Sequence, residues 1–271
     1  MRLLVLGGTK FLGRHLAEHA LAAGHDVTLF HRGRTGRDLF PGVPRLIGDR
    51  DTGALAALAT GTWDAVFDFS GFLPGQVAAT ARLLAPRVGH YLFMSSIAVY
   101  PRISRAGRTE QDRTLPPPAG EPDTFTAETY GPLKAACERA AEAACPGRVT
   151  SIRSGLVTDV RDLAAFMLRA GTVPLPGVFN VMAEPITFAG MLETCRSAAA
   201  GSAVVRWTDD ENVDEHAAFI VQPRDGSDDG VFQLSSERAL RAGYRARPLT
   251  ETARDTIAWA RRTRASFTSP H

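Results

Sequence analysis

Tyr130 and Lys134 are the residues whose types and spacing best suit proton-transfer chemistry. They lie four positions apart near the start of a predicted helix, Pro132–Ala144, so both side chains project from one face. A free phenol has a pKa of about 10, and neighbouring positive charge would lower that pKa toward neutrality. The alternative is a half-buried tyrosine beside a lysine whose methylene groups cover apolar surface.

Lysine is otherwise absent from this chain. Of its 31 basic residues only Lys10 and Lys134 are lysines, and the remainder are arginines. Arginine cannot replace lysine where a compact, titratable ammonium group is needed. Both lysines are therefore functional candidates.

A pair of serines, Ser95 and Ser96, stands at the end of a predicted strand. A serine hydroxyl at the ligand-binding edge of a sheet could hydrogen-bond a substrate carbonyl or alcohol. By itself, a Ser-Ser strand end is more often a turn or a cap.

The segment Gly7–Gly13 joins a predicted strand, Leu3–Leu6, to a predicted helix, Phe11–Ala23, and a second strand follows at Asp26–Phe30. Glycines at such a junction permit a tight turn and let the backbone approach a pyrophosphate at the helix N-terminus. The flanking strand and helix supply the context that a glycine pattern alone lacks. The sequence therefore predicts a dinucleotide-binding βαβ unit, with a simple strand–helix turn as the alternative.

The end of the second strand indicates which dinucleotide is bound. Sites that prefer NAD usually carry a carboxylate there, whereas an arginine accommodates the 2′-phosphate of NADP. Here His31 stands at that position, Arg32 and Arg34 follow, and Lys10 lies in the glycine segment. We expect NADP(H) to be preferred, with NAD(H) also accepted, unless these groups are only solvated surface charges.

Asp49, after the third predicted strand, has two interpretations. Its carboxylate could accept a hydrogen bond from the adenine amino group, or it could cap a helix predicted from Thr52. The sequence leaves both open.

Strands continue to alternate with helices along the chain, which predicts an α/β fold: a Rossmann-type, doubly wound parallel sheet. The predicted elements are strands Arg45–Ile47, Ala65–Phe69, Tyr91–Ser95 and Val149–Ile152 and helices Thr52–Ala59, Gln76–Leu84 and Pro132–Ala144. Between them, the Pro-rich stretch 101–129 is long enough to be a lid, a binding loop or a mobile segment. These elements define a dinucleotide-binding domain over residues 1–157.

The remaining residues, 158–271, predict a smaller, partly interleaved substrate lobe over the strand ends. Its predicted elements are strands Val178–Val181 and Val204–Trp207 and helices Asp162–Leu168, Thr187–Ala200 and Thr250–Arg262.

Composition narrows the setting. The formal charge of +2 contains no long basic run, so nucleic-acid binding is not indicated. No apolar stretch reaches the roughly 18 residues that a membrane span needs, and the first apolar run is too short for a signal peptide. The cysteines, Cys137, Cys145 and Cys195, have no metal-ligand spacing, and no metal site is predicted. We expect a reduced, cytoplasmic protein that acts on a small molecule.

Together these motifs closely resemble the extended short-chain dehydrogenase/reductase family, also called the NAD-dependent epimerase/dehydratase family. The resemblance covers essentially the whole chain, and the glycine segment further resembles a subgroup that includes chloroplast stem-loop RNA-binding proteins. The matching segments are Gly7–Gly13, Asp49, Ser95–Tyr100, Tyr130-x-x-x-Lys134, Arg153-Ser154-Gly155, Asp159–Ala164 and Ala239–Trp259.

The resemblance implies that Ser96, Tyr130 and Lys134 form a catalytic triad and that Lys134 also contacts the nicotinamide ribose. It also allows a homodimer through a helical interface. The cofactor-binding residues expected from the motifs and strand ends are Gly7, Thr9, Lys10, Phe11, Leu12, Gly13, His31, Arg32, Arg34, Asp49, Ser70, Gly71 and Lys134.

The sequence departs from the family pattern in ways that concern the substrate. Lys10 replaces the usual middle glycine, and Ser154 stands where proline commonly precedes Gly155. Several tens of residues that normally follow the sixth strand are missing between Val157 and Asp159. We therefore expect an open substrate pocket, or one completed by another loop or subunit.

The resulting hypothesis is an NAD(P)(H)-dependent oxidoreductase or epimerase for a sugar, sugar nucleotide or polyol. A 4,6-dehydratase is disfavoured because Ile97-Ala98 follow Ser96, where such enzymes would carry Asp-Glu. The competing hypothesis is a non-catalytic NADP(H)-binding sensor or RNA-binding protein on the same fold.

Overall fold

The computed structural model describes residues 1–101, 105–120, 125–155, 158–199, 230 and 233–263. Its strands all run parallel. They are β1 (Arg2–Leu6), β2 (Asp26–His31), β3 (Arg45–Ile47), β4 (Trp63–Asp68), β5 (Val88–Ser96), β6 (Val149–Ser154) and β7 (Gly177–Val181). In the sheet they follow the order β3-β2-β1-β4-β5-β6-β7, which confirms the predicted doubly wound α/β fold.

Helices cover both faces of this sheet. They are α1 (Phe11–Ala22), α2 (Pro74–Leu84), α3 (Ala127–Ala144), α4 (Val160–Thr172), α5 (Phe188–Ala198), α6 (Glu237–Arg241) and α7 (Leu249–Thr263). The apolar sides of α1 and α4 share one core with the sheet, and those of α2 and α3 share the other. Because both faces are covered, residues Leu3–Leu6 are all fully buried, as a continuous apolar strand requires.

The strand order reverses at β1, which pairs with β2 on one side and with β4 on the other. In such sheets the helices leave from opposite faces at this point, and a crevice opens beyond the carboxyl ends of the two strands. The glycine segment after β1 and the residues after β2 and β4 therefore meet at one edge.

The predicted helix Thr52–Ala59 is wrong over most of its length. Only Ala56–Ala59 is helical, as a short 3₁₀ turn. Upstream, Asp49 and Ala54 form an antiparallel bridge, and Gly53 adopts a left-handed φ of +72°. This tight turn uses the backbone groups that a helix beginning at Thr52 would need.

Helix α3 begins at Ala127, five residues before the predicted start at Pro132. Thr126 caps it: its hydroxyl accepts from the Thr129 amide, and the Thr129 hydroxyl accepts from the Thr126 amide. Pro132 therefore lies inside the helix, and the expectation that it occupies the first turn is wrong.

Strand β7 lies in the main sheet, where it pairs with β6. Residues 158–181 are thus interleaved with the sheet, although the predicted boundary at residue 157 assigns them to the second lobe. An ion pair between Asp162 in α4 and Arg247 before α7 joins them to the C-terminal helix. The predicted strand Val204–Trp207 lies outside the described residues, and the division into two domains stays a prediction.

Candidate active site

A cleft of about 870 Å³ lies at the sheet edge where the strand order reverses, within the usual size range of small-molecule and cofactor sites. It is lined by most of the predicted cofactor-binding residues, namely Gly7, Thr9, Lys10, Phe11, Leu12, Gly13, His31, Arg32, Arg34, Asp49 and Ser70. Gly71 and Lys134 do not line it, and neither do Ser96 and Tyr130. The cleft is thus lined by most of the predicted cofactor-binding residues and by none of the predicted catalytic residues.

The glycine segment is closely packed where a pyrophosphate would approach. Gly7 has a left-handed φ of +89°, and a Cβ on Gly13 would lie 2.5 Å from the Gly7 carbonyl oxygen. Helix α1 begins directly behind it, with no acidic residue in its first turn and no side chain capping its first amides. Such a helix end favours an anion.

Lys10 fits the position where the family carries glycine because its backbone is ordinary extended chain, with φ of −133°. The unusual conformation falls on the next residue instead. Phe11 has φ of +34°, and its side chain is 75% exposed at the cleft. Residues with such dihedrals are uncommon outside glycine and tend to occur at functional sites.

His31 ends β2 as a neutral hydrogen-bond donor. Burial, with a smaller contribution from Arg45, lowers the pKa of its imidazole. Its Nδ1 accepts a hydrogen bond from the Gly33 amide at 2.9 Å, so the proton of the neutral ring resides on Nε2. This Nε2 is buried and has no hydrogen-bond partner in the described structure.

The two arginines after β2 are each placed beside a carboxylate. Arg32 lies 3.1 Å from Asp51, and Arg34 lies 3.5 Å from Asp49. The arginine side chains are 50% and 69% exposed, and exposed pairs of this kind are worth about 0–1 kcal/mol. A phosphate at the cleft could therefore replace these partners at little cost.

Asp49 does not cap a helix, because no helix begins at Thr52. Its carboxylate instead accepts from the Asp51 amide at 3.1 Å and closes a turn. The side chain lines the cleft, so the adenine interpretation stays as a prediction.

Ser96 and Tyr130 lie together where β5 ends and α3 begins. The Ser96 hydroxyl accepts from the Ala98 amide at 3.1 Å. Its proximity to the Tyr130 phenol acts to lower the pKa of that phenol, against the larger effect of burial. Burial dominates and raises the pKa of Tyr130. The lowering expected from Lys134 is therefore not found in the protein alone.

Lys134 is 3% exposed and directs its ammonium group at backbone carbonyls. Its Nζ donates to Gly71 at 2.9 Å and to Met94 at 2.8 Å. Burial lowers the pKa of this ammonium to about 8. The residue thus joins the loop after β4 to the end of β5, close to the two catalytic candidates.

Solved structures share this architecture. A putative epimerase from Burkholderia cenocepacia superposes with a TM-score of 0.72 at 22% identity, covering 96% of this chain and 98% of that one. A human epimerase family protein with NADPH gives 0.65 at 20% identity, covering 94% and 98%. UDP-glucose 4-epimerase from Bifidobacterium longum, in complex with NAD+ and UDP, gives 0.67 at 16% identity, covering 97% and 99%.

The chain shares the Rossmann-type fold of these solved structures. No protein-family model matches the chain. Among curated proteins, the chloroplast stem-loop binding protein of 41 kDa b from Arabidopsis thaliana is 28% identical over 130 residues, which cover 42% of this chain and 34% of that protein. The sequence match therefore spans about a third of that relative's length.

Within this fold, Glu138 and Arg153 form a buried ion pair behind the catalytic candidates. The Arg153 NH2 group lies 2.6 Å from the Glu138 carboxylate, which also accepts from the Ser95 hydroxyl at 2.5 Å. Arg153 further donates to the Tyr100 hydroxyl at 2.7 Å. The pair ties α3 to the ends of β5 and β6. The sequence feature that could have indicated this pair is the position of Glu138, four residues after Lys134 on the same helix.

Arg50 is a second residue that sequence analysis missed. It lines the cleft, and its guanidinium donates to buried Asp68 at 2.7 Å and to Ser70 at 3.2 Å. Tyr91 donates to the same Asp68 carboxylate at 2.7 Å. The sequence feature that could have indicated its role is its position directly after Asp49. The arrangement fixes the loop after β4 that carries Ser70 and Gly71.

Two predictions, the open substrate pocket and the loop at 101–129, concern segments that the structure describes only in part. Ser154, Gly155 and Thr158 line the inner end of the cleft, but Leu156 and Val157 lie outside the described residues. The open pocket stays a prediction. Within the 101–129 stretch, the Leu115 amide donates to the Val99 carbonyl, and Phe125 lines the cleft.

The described residues contain no helix long and apolar enough to cross a membrane. Nor do they contain a cluster of three or more residues able to hold a metal ion.

Proposed function

We propose that the protein is an NADP(H)-using oxidoreductase or epimerase acting on a carbonyl or secondary alcohol of a sugar, sugar nucleotide or polyol. One observation carries the proposal. The Tyr130 phenol lies near the Ser96 hydroxyl, and the Lys134 ammonium is 6.0 Å from the centre of the Tyr130 ring, beside a cleft lined by a dinucleotide-type glycine segment. The similar folds whose structures contain NADPH or NAD+ add support.

When bound, the nicotinamide ring would supply or accept a hydride. Tyr130 would donate a proton to the reacting oxygen or remove one from it, and Ser96 would orient that oxygen through a hydrogen bond. Burial raises the pKa of Tyr130, so the phenol is protonated at neutral pH and carries the proton that a reduction needs. The raised pKa also makes the phenol a weaker acid, an effect that positive charge near the phenol would offset. Lys134 would supply positive charge and a remaining N–H donor.

The residues around the adenosine end support NADP(H). Lys10, Arg32 and Arg34 surround the end of β2, where a carboxylate selective for NAD is absent. A neutral His31 donor suits a ribose or phosphate oxygen, whereas a carboxylate would repel the phosphate.

Tyr130→Phe tests the mechanism. Ketone and sugar-nucleotide panels are screened for NADPH oxidation or epimer formation, and the variant is compared on any substrate found. Loss of the proton donor should lower turnover by about 10²–10⁴-fold while leaving cofactor binding unchanged. Tyr244→Phe removes the same hydroxyl from a buried tyrosine in the α4 core and should have no effect.

Full activity of Tyr130→Phe would refute the mechanism. If NADPH binds tightly but no panel member reacts, the non-catalytic interpretation is favoured instead. Lys134→Arg adds a second readout, because it keeps the charge but not the compact ammonium and should impair both binding and turnover.

A further inference from the structure

Lys134 is covered by aromatic rings. Its Nζ lies 4.9 Å from the ring centre of Phe72 and 4.8 Å from that of Phe93. Phe93 is a fully buried strand residue that cannot leave its place without disrupting the core. Phe72 lies in the loop after β4, outside any helix or strand. Of the two rings, Phe72 is therefore the movable one.

Phe72 is stacked on Phe125. The two rings stack with centres 5.0 Å apart and planes inclined by 16°. The Phe125 ring is also 6.0 Å from that of Tyr130, and its side chain is 49% exposed. Phe125 precedes the Thr126 cap of α3, so it too lies on irregular backbone.

The stacked pair forms part of the wall of the cleft. Phe72 and Phe125 both line it, whereas Ser96, Tyr130 and Lys134 do not. A ligand that fills the cleft therefore contacts the two phenylalanine rings and none of the three catalytic candidates, of which Lys134 is the buried one.

We propose that Phe72 and Phe125 form an aromatic gate and determine access from the cofactor cleft to Lys134 and Tyr130. When the two rings separate, the nicotinamide riboside end of the cofactor can enter and the third N–H of Lys134 becomes available to it. The identity of this ligand rests on the proposed function, but the gate is a property of the protein without ligand.

The two lysines of the chain allow the gate to be measured directly. Acetylation of the unliganded protein, followed by peptide mass spectrometry, gives separate rates for exposed Lys10 and buried Lys134. Phe125→Ala should raise the Lys134-to-Lys10 rate ratio by about 3- to 10-fold, the range expected for losing a stacked pair. Phe72→Ala should raise it further because its ring covers the ammonium directly.

Val173→Ala is the control, since it removes an equally exposed apolar side chain at the end of α4 and should leave the ratio unchanged. Circular dichroism checks that each variant is folded. Because Phe125 is half exposed, its replacement should fold even if that of Phe72 does not. A parent Lys134 that reacts as fast as Lys10, or an unchanged ratio in folded Phe125→Ala, would overturn the gate.

Stopped-flow binding of NADPH tests the consequence. A gate that opens before binding makes the observed rate level off as NADPH concentration rises, and Phe125→Ala should raise that plateau by the same factor as the labelling ratio. A rate that stays linear in the parent would show that the gate does not control entry. If NADPH fails to bind at all, the proposed function is refuted while the labelling result still decides the gate.

Discussion

Lys134 shows how the setting of one residue decides its chemistry. Among the described residues, its ammonium has two carbonyl partners and three aromatic rings nearby, and it forms no salt bridge with a carboxylate. A buried positive charge without an anionic partner costs stability, and the cost appears as a lowered pKa. The protein retains this unfavourable group beside Tyr130, where the proposed reaction would use it.

This cost predicts a specific dependence of stability on pH. Burial lowers the pKa of Lys134 from its ordinary 10.5 to about 8. Between these values the unfolded chain holds a proton that the folded chain has released, so the free energy of unfolding rises with pH in this window. Relative to Lys134→Met, the parent should gain up to about 1.4 kcal/mol per pH unit from pH 8 to 10.5.

Urea unfolding of the parent and of Lys134→Met at several pH values between 7 and 10.5 measures this difference. Lys10→Met is the control, because it removes an exposed lysine instead of the buried one. Parallel stability curves for the parent and Lys134→Met would contradict the prediction.

Single residues were predictable from sequence when their own type and spacing carried the signal. Tyr130 and Lys134 stood out by separation on one helix and by the scarcity of lysine. Phe72 and Phe125 did not, because their stacking depends on two loops that meet only after the sheet has formed. Nothing in the sequence near either phenylalanine indicates the other.

Among the elements, apolar runs located the described strands well, and the failures arose where turns competed with helices. The segment after β3 looked helical by composition, yet Gly53 and the Asp49–Ala54 bridge closed a turn there. Helix α3 began earlier than predicted because the Thr126–Thr129 cap is made by side chains that pattern analysis did not weigh. Local hydrogen bonding of this kind sets helix boundaries that the periodicity of apolar residues does not reveal.

Helix α3 also depends on a glycine contact to place Tyr130. A Cβ on Gly131 would overlap the carbonyl oxygen of Ala98, in the 3₁₀ turn that follows Ser96. Gly131→Ala should therefore push the helix away from Ser96 and reduce turnover, by about 10²-fold if the displacement approaches 1 Å. Gly75→Ala, in α2 with open space around its Cβ, should be neutral or slightly stabilising.

Turnover and thermal unfolding of both glycine variants check this expectation. A Gly131→Ala protein that keeps parental turnover would show that the helix tolerates the shift.

The Glu138–Arg153 pair is the second device that positions α3. Glu138→Gln removes the charge while keeping the shape, and it leaves Arg153 buried without an anion. We expect a loss of about 3–5 kcal/mol in the free energy of unfolding, as for other broken buried pairs. Glu142→Gln, an exposed position on the same helix whose side chain accepts from the Gly147 amide, should cost less than about 0.5 kcal/mol.

Urea unfolding at neutral pH compares the two glutamine variants. Equal stabilities would mean that the buried pair contributes no more than a surface carboxylate.

At the scale of the whole molecule, the strand order brings distant segments to one edge. The sequence predicted this because strands alternate with helices along the chain. Crossover connections between parallel strands are nearly always right-handed, which leaves few possible strand orders. It did not predict that β7 joins the same sheet, since a short apolar run after a helix is equally typical of a separate lobe. The similar solved structures establish the fold alone, and the cleft chemistry rests on this chain's own residues.

Cofactor binding at that edge should stabilise the whole chain. A ligand at 100 times its Kd adds about 2.7 kcal/mol to the free energy of unfolding, which for a protein of this size corresponds to roughly 5–10 °C in Tm. We expect NADPH to bind more tightly than NADH by about 1–3 kcal/mol, because charge-assisted hydrogen bonds from Lys10, Arg32 and Arg34 would be made only to the 2′-phosphate.

Calorimetric titration of both cofactors at low and high salt measures this preference. At high salt, screening should reduce the difference in affinity between NADPH and NADH, because these cationic groups are exposed. Arg34→Gln should weaken NADPH binding and leave NADH binding unchanged, which separates recognition of the phosphate from entry of the nicotinamide end. Equal affinities, or a preference for NADH, would show that Asp49 and Asp51 keep the arginines occupied and that neutral His31 serves a ribose hydroxyl instead.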